Sequence, residues 1–113
     1  MKIAIPTNNK KGLEDTIAEH FGRAKCFLIY DTETENFDIH PNPEVAGKTE
    51  FPPDFLHHQK VEAVIVFSLG PMAHGKFKNH NIKMYKAVKG TISDNFQRFK
   101  DNKLEKLTKE DIF

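Results

Sequence analysis

Apolar residues in this chain fall into short, dense runs separated by polar turns. Lys2 to Pro6 (KIAIP) sets Ile3 and Ile5 on one side and Ala4 on the other, and reads as a first strand. Lys25 to Asp31 (KCFLIYD) is a second, mostly apolar strand. A polar pentapeptide, Thr32 to Asn36, joins it to a third at Phe37 to His40, in a hairpin ended by Pro41-Asn42-Pro43. The densest run is Ala63 to Phe67, inside the stretch Val61 to Ala73 (VEAVIVFSLGPMA). Five such residues in a row suit a central strand covered on both faces. A fifth strand, Ile82 to Val88, alternates.

Helical spacing fills the second half of the chain. Pro52-Pro53-Asp54 opens a helix through about Lys60, with Phe55 and Leu56 inward. Pro71 suits the first position of a helix running to about Asn79, because no N–H is needed there. Gly70, just before it, allows a tight turn without a Cβ clash. Thr91 caps a last helix with Asp94 three residues on, and Ile92, Phe96 and Phe99 form its buried stripe. Leu13, Ile17 and Phe21 recur every four residues, so this stretch reads either as a short helix or as an ordered loop. Glu44 to Phe51 lacks periodicity and reads as a mobile loop. The charged segment from Asn102 to Phe113 either extends the last helix or frays.

Short links between the first three strands allow an antiparallel meander, whereas the helical links that follow demand right-handed parallel crossovers. Both conditions are met by a three-layer α/β fold. Its mixed five-stranded sheet has the order 3-2-1-4-5, strand 2 is antiparallel, and helices cover both faces. That is a ribonuclease-H-like topology. With 113 residues the expectation is one domain, 1–113.

Composition narrows the class. Ten Phe and no Trp point to a core filled by phenyl rings, and a net charge of +1 argues against a nucleic-acid partner. A single cysteine, Cys26, excludes an internal disulfide and fits a reducing compartment. MKIAIPTNN is too short in apolar length for a signal peptide, and no run reaches membrane-spanning length. A cytoplasmic protein without a membrane partner is expected.

The first and fourth strands leave the sheet in opposite directions, which opens a crevice beyond their C-terminal ends. Thr7, Asn8 and Asn9 reach it from the first strand, and Ser68, Gly70 and Pro71 from the fourth. His20-Phe21-Gly22-Arg23 leads into the reversed second strand at the same edge, joined by Asn42 and Lys89-Gly90. Backbone donors at a helix start, amides, an imidazole and a guanidinium suit an anionic or metal-containing ligand. Each also has a plainer explanation: Asn and Gly make turns, and an arginine beside a strand is often simply solvated.

Of six histidines, none forms a helical pair one turn apart, and no CxxC, HxH or HExxH occurs. A preformed zinc site is not expected. Cys26 reads as a small buried hydrophobe. His20, in the crevice loop, is the one histidine singled out for function. Neither KIAIP nor the run Ala63 to Ser68 (AVIVFS) carries a carboxylate, which opposes a two-metal nuclease, and Ser68 lacks a nucleophile-elbow context.

KIAIP, HFGRAKCFLIYDTET, VEAVIVFSLGPMA and HNIKMYKAVKGTISDNFQRFKDNKL together resemble the dinitrogenase iron–molybdenum cofactor biosynthesis family across nearly the whole chain. His20-Phe21-Gly22-Arg23-Ala24 is the most specific piece. The resemblance implies a ribonuclease-H-like fold and a non-enzymatic binding or carrier role for an iron–sulfur or iron–molybdenum cofactor or its precursor. Thr7, Asn8, His20, Phe21, Gly22, Arg23, Ser68, Gly70 and Pro71 would form the site, with His20 as metal contact. Metal-cofactor assembly or iron–sulfur proteins would be partners, and the chain a monomer or weak homodimer. Many members carry a His-Gly-rich stretch after the third strand, where this chain has Val45 to Phe51 without histidine. His57 and His58 lie further on and do not inherit that role. Two other functions are weighed: a metal-free regulatory or interaction module for a small organic anion or a protein, and a metal-dependent hydrolase.

Overall fold

The computed structural model describes all residues, 1–113. Its five strands are β1 (Lys2–Thr7), β2 (Cys26–Asp31), β3 (Phe37–Pro41), β4 (Val61–Val66) and β5 (Lys83–Lys86), and its helices are α1 (Pro52–His58), α2 (Pro71–Asn79) and α3 (Ile92–Lys100). They form one sheet of order β3-β2-β1-β4-β5. β2 runs antiparallel to β1 and β3, while β1, β4 and β5 are parallel. This is the topology that the spacing predicts.

Alternation along the strands divides the core. Ala4, Phe27, Ile29 and Val64 pack with Leu56 of α1 and Phe77 of α2. Ile3, Ile5, Leu28, Tyr30 and Ile65 pack on the opposite face with Ile92 and Phe96 of α3. Each buried Val, Leu, Ile or Phe side chain among these stabilises by about 1.5–3 kcal/mol. Thr91 accepts a hydrogen bond from the Asp94 amide at 3.0 Å, and the Asp94 carboxylate accepts one from the Thr91 amide at 3.1 Å, closing a capping box at the start of α3.

Of the two segments that the sequence pattern leaves open, one takes a stated alternative and the other takes neither. Between β1 and β2 there is an ordered loop with 3-10 turns at Gly12–Glu14 and Phe21–Arg23. Ile17 joins the α3 face of the core, whereas Ala18 and Phe21 join the α1/α2 face. The spacing of four therefore reflects a chain draped across the end of the sheet. Beyond Asn102 the chain neither extends α3 nor frays. It turns back along β5, with a bridge between Lys106 and Tyr85, and ends beside the turn after β4. This backbone covers β5, which would otherwise be an open edge.

Candidate functional site

The β1–β4 register runs only from Lys2↔Val61 to Ala4↔Val64, so the strands part beyond that point. The draped loop fills the fork. Ala18 N–H donates to the Pro6 carbonyl at 2.9 Å, and Ile92 N–H donates to the Asp15 carbonyl at 2.8 Å. With Ile17 on one face and Ala18 on the other, the single crevice expected at the switch point becomes two cavities.

The larger cavity, about 440 Å³, lies on the α1/α2 face and gathers His20, Phe21, Gly22, Arg23, Ser68, Gly70 and Pro71. Seven of the nine residues expected at the site thus sit around one space. Thr7 and Asn8 do not. Thr7 is buried and donates its hydroxyl to the Asp15 carboxylate. Asn8 lines a second, more polar cavity with Asn9, Lys89 and Gly90. Burial pushes the Asp15 carboxyl up, but hydrogen bonds from Thr7, the Thr16 amide and Asn9 outweigh it and hold it below its ordinary value.

How the His20 loop is held follows from its sequence. The Phe21 ring is buried, with centroids 5.0 Å from Phe27 and 5.2 Å from Phe77, so it acts as the loop's anchor. Asn42, fully buried, donates to the Ala24 carbonyl at 2.8 Å and the Gly22 carbonyl at 3.3 Å, while its side-chain oxygen accepts from the Glu44 amide at 3.0 Å. It clamps the loop to the end of β3. Beside these fixed points His20 and Arg23 remain exposed. Arg23 takes part in none of the ion pairs within the chain.

Opposite the loop, α2 begins with Gly70 as N-cap and Pro71 at its first turn, and no side chain caps it. Its first free amides therefore lie at the cavity, where the partial positive charge of a helix start favours an anion. Gly70 has φ −71° and ψ 161°, which any residue can adopt. The tight-turn role expected of this glycine is not what the backbone requires. A Cβ at Gly70 or Gly22 would meet nothing within 4 Å, so both glycines leave space beside the cavity.

Residues that sequence reasoning passed over complete the walls. Phe51, Pro52, Pro53 and Met72 add apolar surface, Glu44 and Lys76 add charge, and Phe113 arrives from the far end of the chain. Met72 and Lys76 were findable, being four apart on the helix that Pro71 opens. Phe113 had no local signal. Lys76 pairs with Asp54 at 3.1 Å, and His80 reaches the same carboxylate at 2.8 Å with the His57 ring stacked on it at 4.0 Å. The hydrogen bond from His80, then that from Lys76, holds the Asp54 carboxyl below its ordinary value.

The donor set can be tested against a resident iron–sulfur cluster, which is ordinarily held by cysteine thiolates. Cys26 is buried within β2, away from the cavity. No three His, Cys, Asp or Glu side chains converge as metal ligands anywhere in the chain. These residues do not fit a cluster held wholly by protein ligands. The cavity does suit an anionic body that brings its own ligands and accepts one imidazole, N–H donors and positive charge.

A model of the dinitrogenase iron–molybdenum cofactor family matches residues 1–102. An uncharacterized protein of Methanocaldococcus jannaschii is 33% identical, covering 95% of this chain and 92% of its own. The apo form of the orange protein from Desulfovibrio gigas has the same fold, with a TM-score of 0.84 at 20% identity over 95% of this chain and 92% of that one. A Thermotoga protein provisionally named as a NifB protein gives a TM-score of 0.79 at 28% identity over 96% and 97%. By the span of the matching family model, the chain belongs to the dinitrogenase iron–molybdenum cofactor family.

Proposed function

We propose that this protein is a non-catalytic binder or carrier that holds an anionic metal–sulfur cofactor, or a precursor of one, as cargo in the larger cavity. The observation that carries this reading is the convergence of His20, Arg23 and the uncapped start of α2 on one space with apolar walls. In its neutral form the His20 imidazole offers a lone pair to one metal atom. Arg23 compensates charge, and the amides of Met72 and Ala73, with the Ser68 hydroxyl, donate to sulfides or to an organic acid on the cargo. Phe51, Pro52 and Met72 give the cavity apolar walls, which lower the local dielectric and strengthen these interactions. Binding by one metal contact and a charged frame suits a cargo that must also leave. Exchange with cofactor-assembly or iron–sulfur proteins in a reducing cytoplasm, by a monomer or weak homodimer, belongs to the same reading.

Anaerobic incubation with iron and sulfide should give visible charge-transfer absorbance that survives desalting, and His20→Ala should lose most of it. Equal absorbance in both, or none in either, would remove His20 as metal contact.

The sparse donor set favours one rival, a module that takes a small organic anion without metal. It predicts thermal stabilisation by carboxylates or phosphate but none by iron species. A hydrolase has less support. Asp15, the acid nearest the end of β1, is tied to Thr7, Asn9 and Thr16, and it belongs to no group of three metal-ligating side chains. No magnesium- or manganese-dependent phosphoester cleavage is expected.

A further inference from the structure

Residues beyond the segment matched by the family model finish the cavity. After leaving α3, the chain pairs with β5: Lys86 N–H donates to the Glu105 carbonyl at 2.7 Å, and Leu107 N–H donates to the Met84 carbonyl at 3.1 Å. It then grips the turn after β4 on both sides. Leu69 N–H donates to the Asp111 carbonyl at 3.0 Å, and Phe113 N–H donates to the Leu69 carbonyl at 3.1 Å. Leu69 is buried, so both of its backbone groups would lack partners without this segment. Leu69 stands between Ser68 and Gly70 in the cavity wall. What holds Leu69 holds the wall.

Asp111 fixes the segment. Its carboxylate lies 3.0 Å from the Lys86 ammonium and accepts from the Thr108 amide at 3.0 Å. Phe113 then lines the cavity while remaining 71% exposed. A residue so exposed buries little apolar surface in the fold, yet it forms part of the cavity's rim.

We propose that Leu104 to Phe113 is a working part of the binding site. Asp111 is a positioning residue for the Ser68-Leu69-Gly70 wall, and Phe113 is a specificity-determining residue. Phe113 selects anions that present an apolar or soft, polarisable side to its ring. The inference rests on the reading of this cavity as the binding site and narrows the class of ligand it takes.

The test uses the chain of residues 1–113 and 8-anilinonaphthalene-1-sulfonate, an aromatic sulfonate, as an apolar anionic probe. Phe113→Ala should weaken dye affinity about fivefold, the effect of losing part of one apolar contact, with an unchanged thermal midpoint and recovery in Phe113→Leu. Asp111→Asn should weaken the dye similarly and speed hydrogen exchange at the Leu69 amide roughly tenfold, as local opening becomes easier, with both effects rescued by Asp111→Glu. Dye uptake that depends on Phe113, without uptake of iron and sulfide, would keep this assignment and remove the metal–sulfur cargo. A wild-type chain that binds no dye, or variants that match it in affinity and exchange, would overturn the assignment whatever the cargo.

Discussion

Gly70 and His20 show at the residue scale how a site can be built by leaving groups unengaged. Gly70 sits at the N-cap of α2 in an ordinary extended conformation with open space where a Cβ would stand, so replacing it need not strain the backbone. Asparagine is a better N-cap than glycine, because its side-chain oxygen accepts from the first free amides. Gly70→Asn should therefore hold or raise stability, by up to about 0.5 kcal/mol in urea unfolding, while it blocks the donors offered to an anion. Loss of stability together with binding would instead make Gly70 a folding residue. Phe21 works the other way, since its ring belongs to the core. Phe21→Ala should cost about 3 kcal/mol or more and loosen His20 and Arg23 together. The sequence could mark His20 and Arg23 through their place in a loop at the sheet edge. It could not show that Thr7 is spent on Asp15 or Asn42 on the Gly22 and Ala24 carbonyls, because those partners meet only in the folded chain.

Among the elements, the strands and long helices were legible because their side chains repeat with the period of the structure they form. The capping box at Thr91 was legible for a similar reason, since its geometry is local. Thr91→Ala should lower stability by about 1 kcal/mol, read from the shift of the urea midpoint. Leu13 to Phe21 kept two readings open because a loop with anchors on two faces can mimic helical spacing. Asp54 ties α1 to α2 through His80 and Lys76. A carboxylate held below its ordinary value by these partners adds stability that is fully present above its unfolded pKa and lost as pH falls through the lower folded one. Asp54→Asn should thus reduce stability at neutral pH and flatten its decline in acid below about pH 4. An unchanged acid limb would mean that Asp54 does not link the two helices energetically.

Across the whole molecule, the sheet order followed from chain connectivity, but the division of the crevice did not. That division depends on the draped loop donating Ala18 N–H to Pro6, a pairing that no local pattern encodes. The return of the C-terminal segment to β5 was hidden for the same reason, as charged residues such as Glu105 and Lys106 read as solvated surface while their backbones pair with the edge. Hydrogen bonding from Thr108, then Lys86, holds the Asp111 carboxyl below its ordinary value. The docked segment should accordingly be firm above the usual carboxylate range and loosen as pH falls through the lowered pKa of Asp111. Protection of the Leu69 amide, its exchange rate divided into the intrinsic rate at each pH, reads this. The central claim is that the larger cavity holds an anionic metal–sulfur body. Anaerobic native mass spectrometry of the wild type and Gly70→Asn after incubation with iron and sulfide tests it most directly. One metal–sulfur adduct per wild-type chain, absent from a folded Gly70→Asn chain, is the predicted result. Equal adducts on both chains, or none on the wild type, would contradict it.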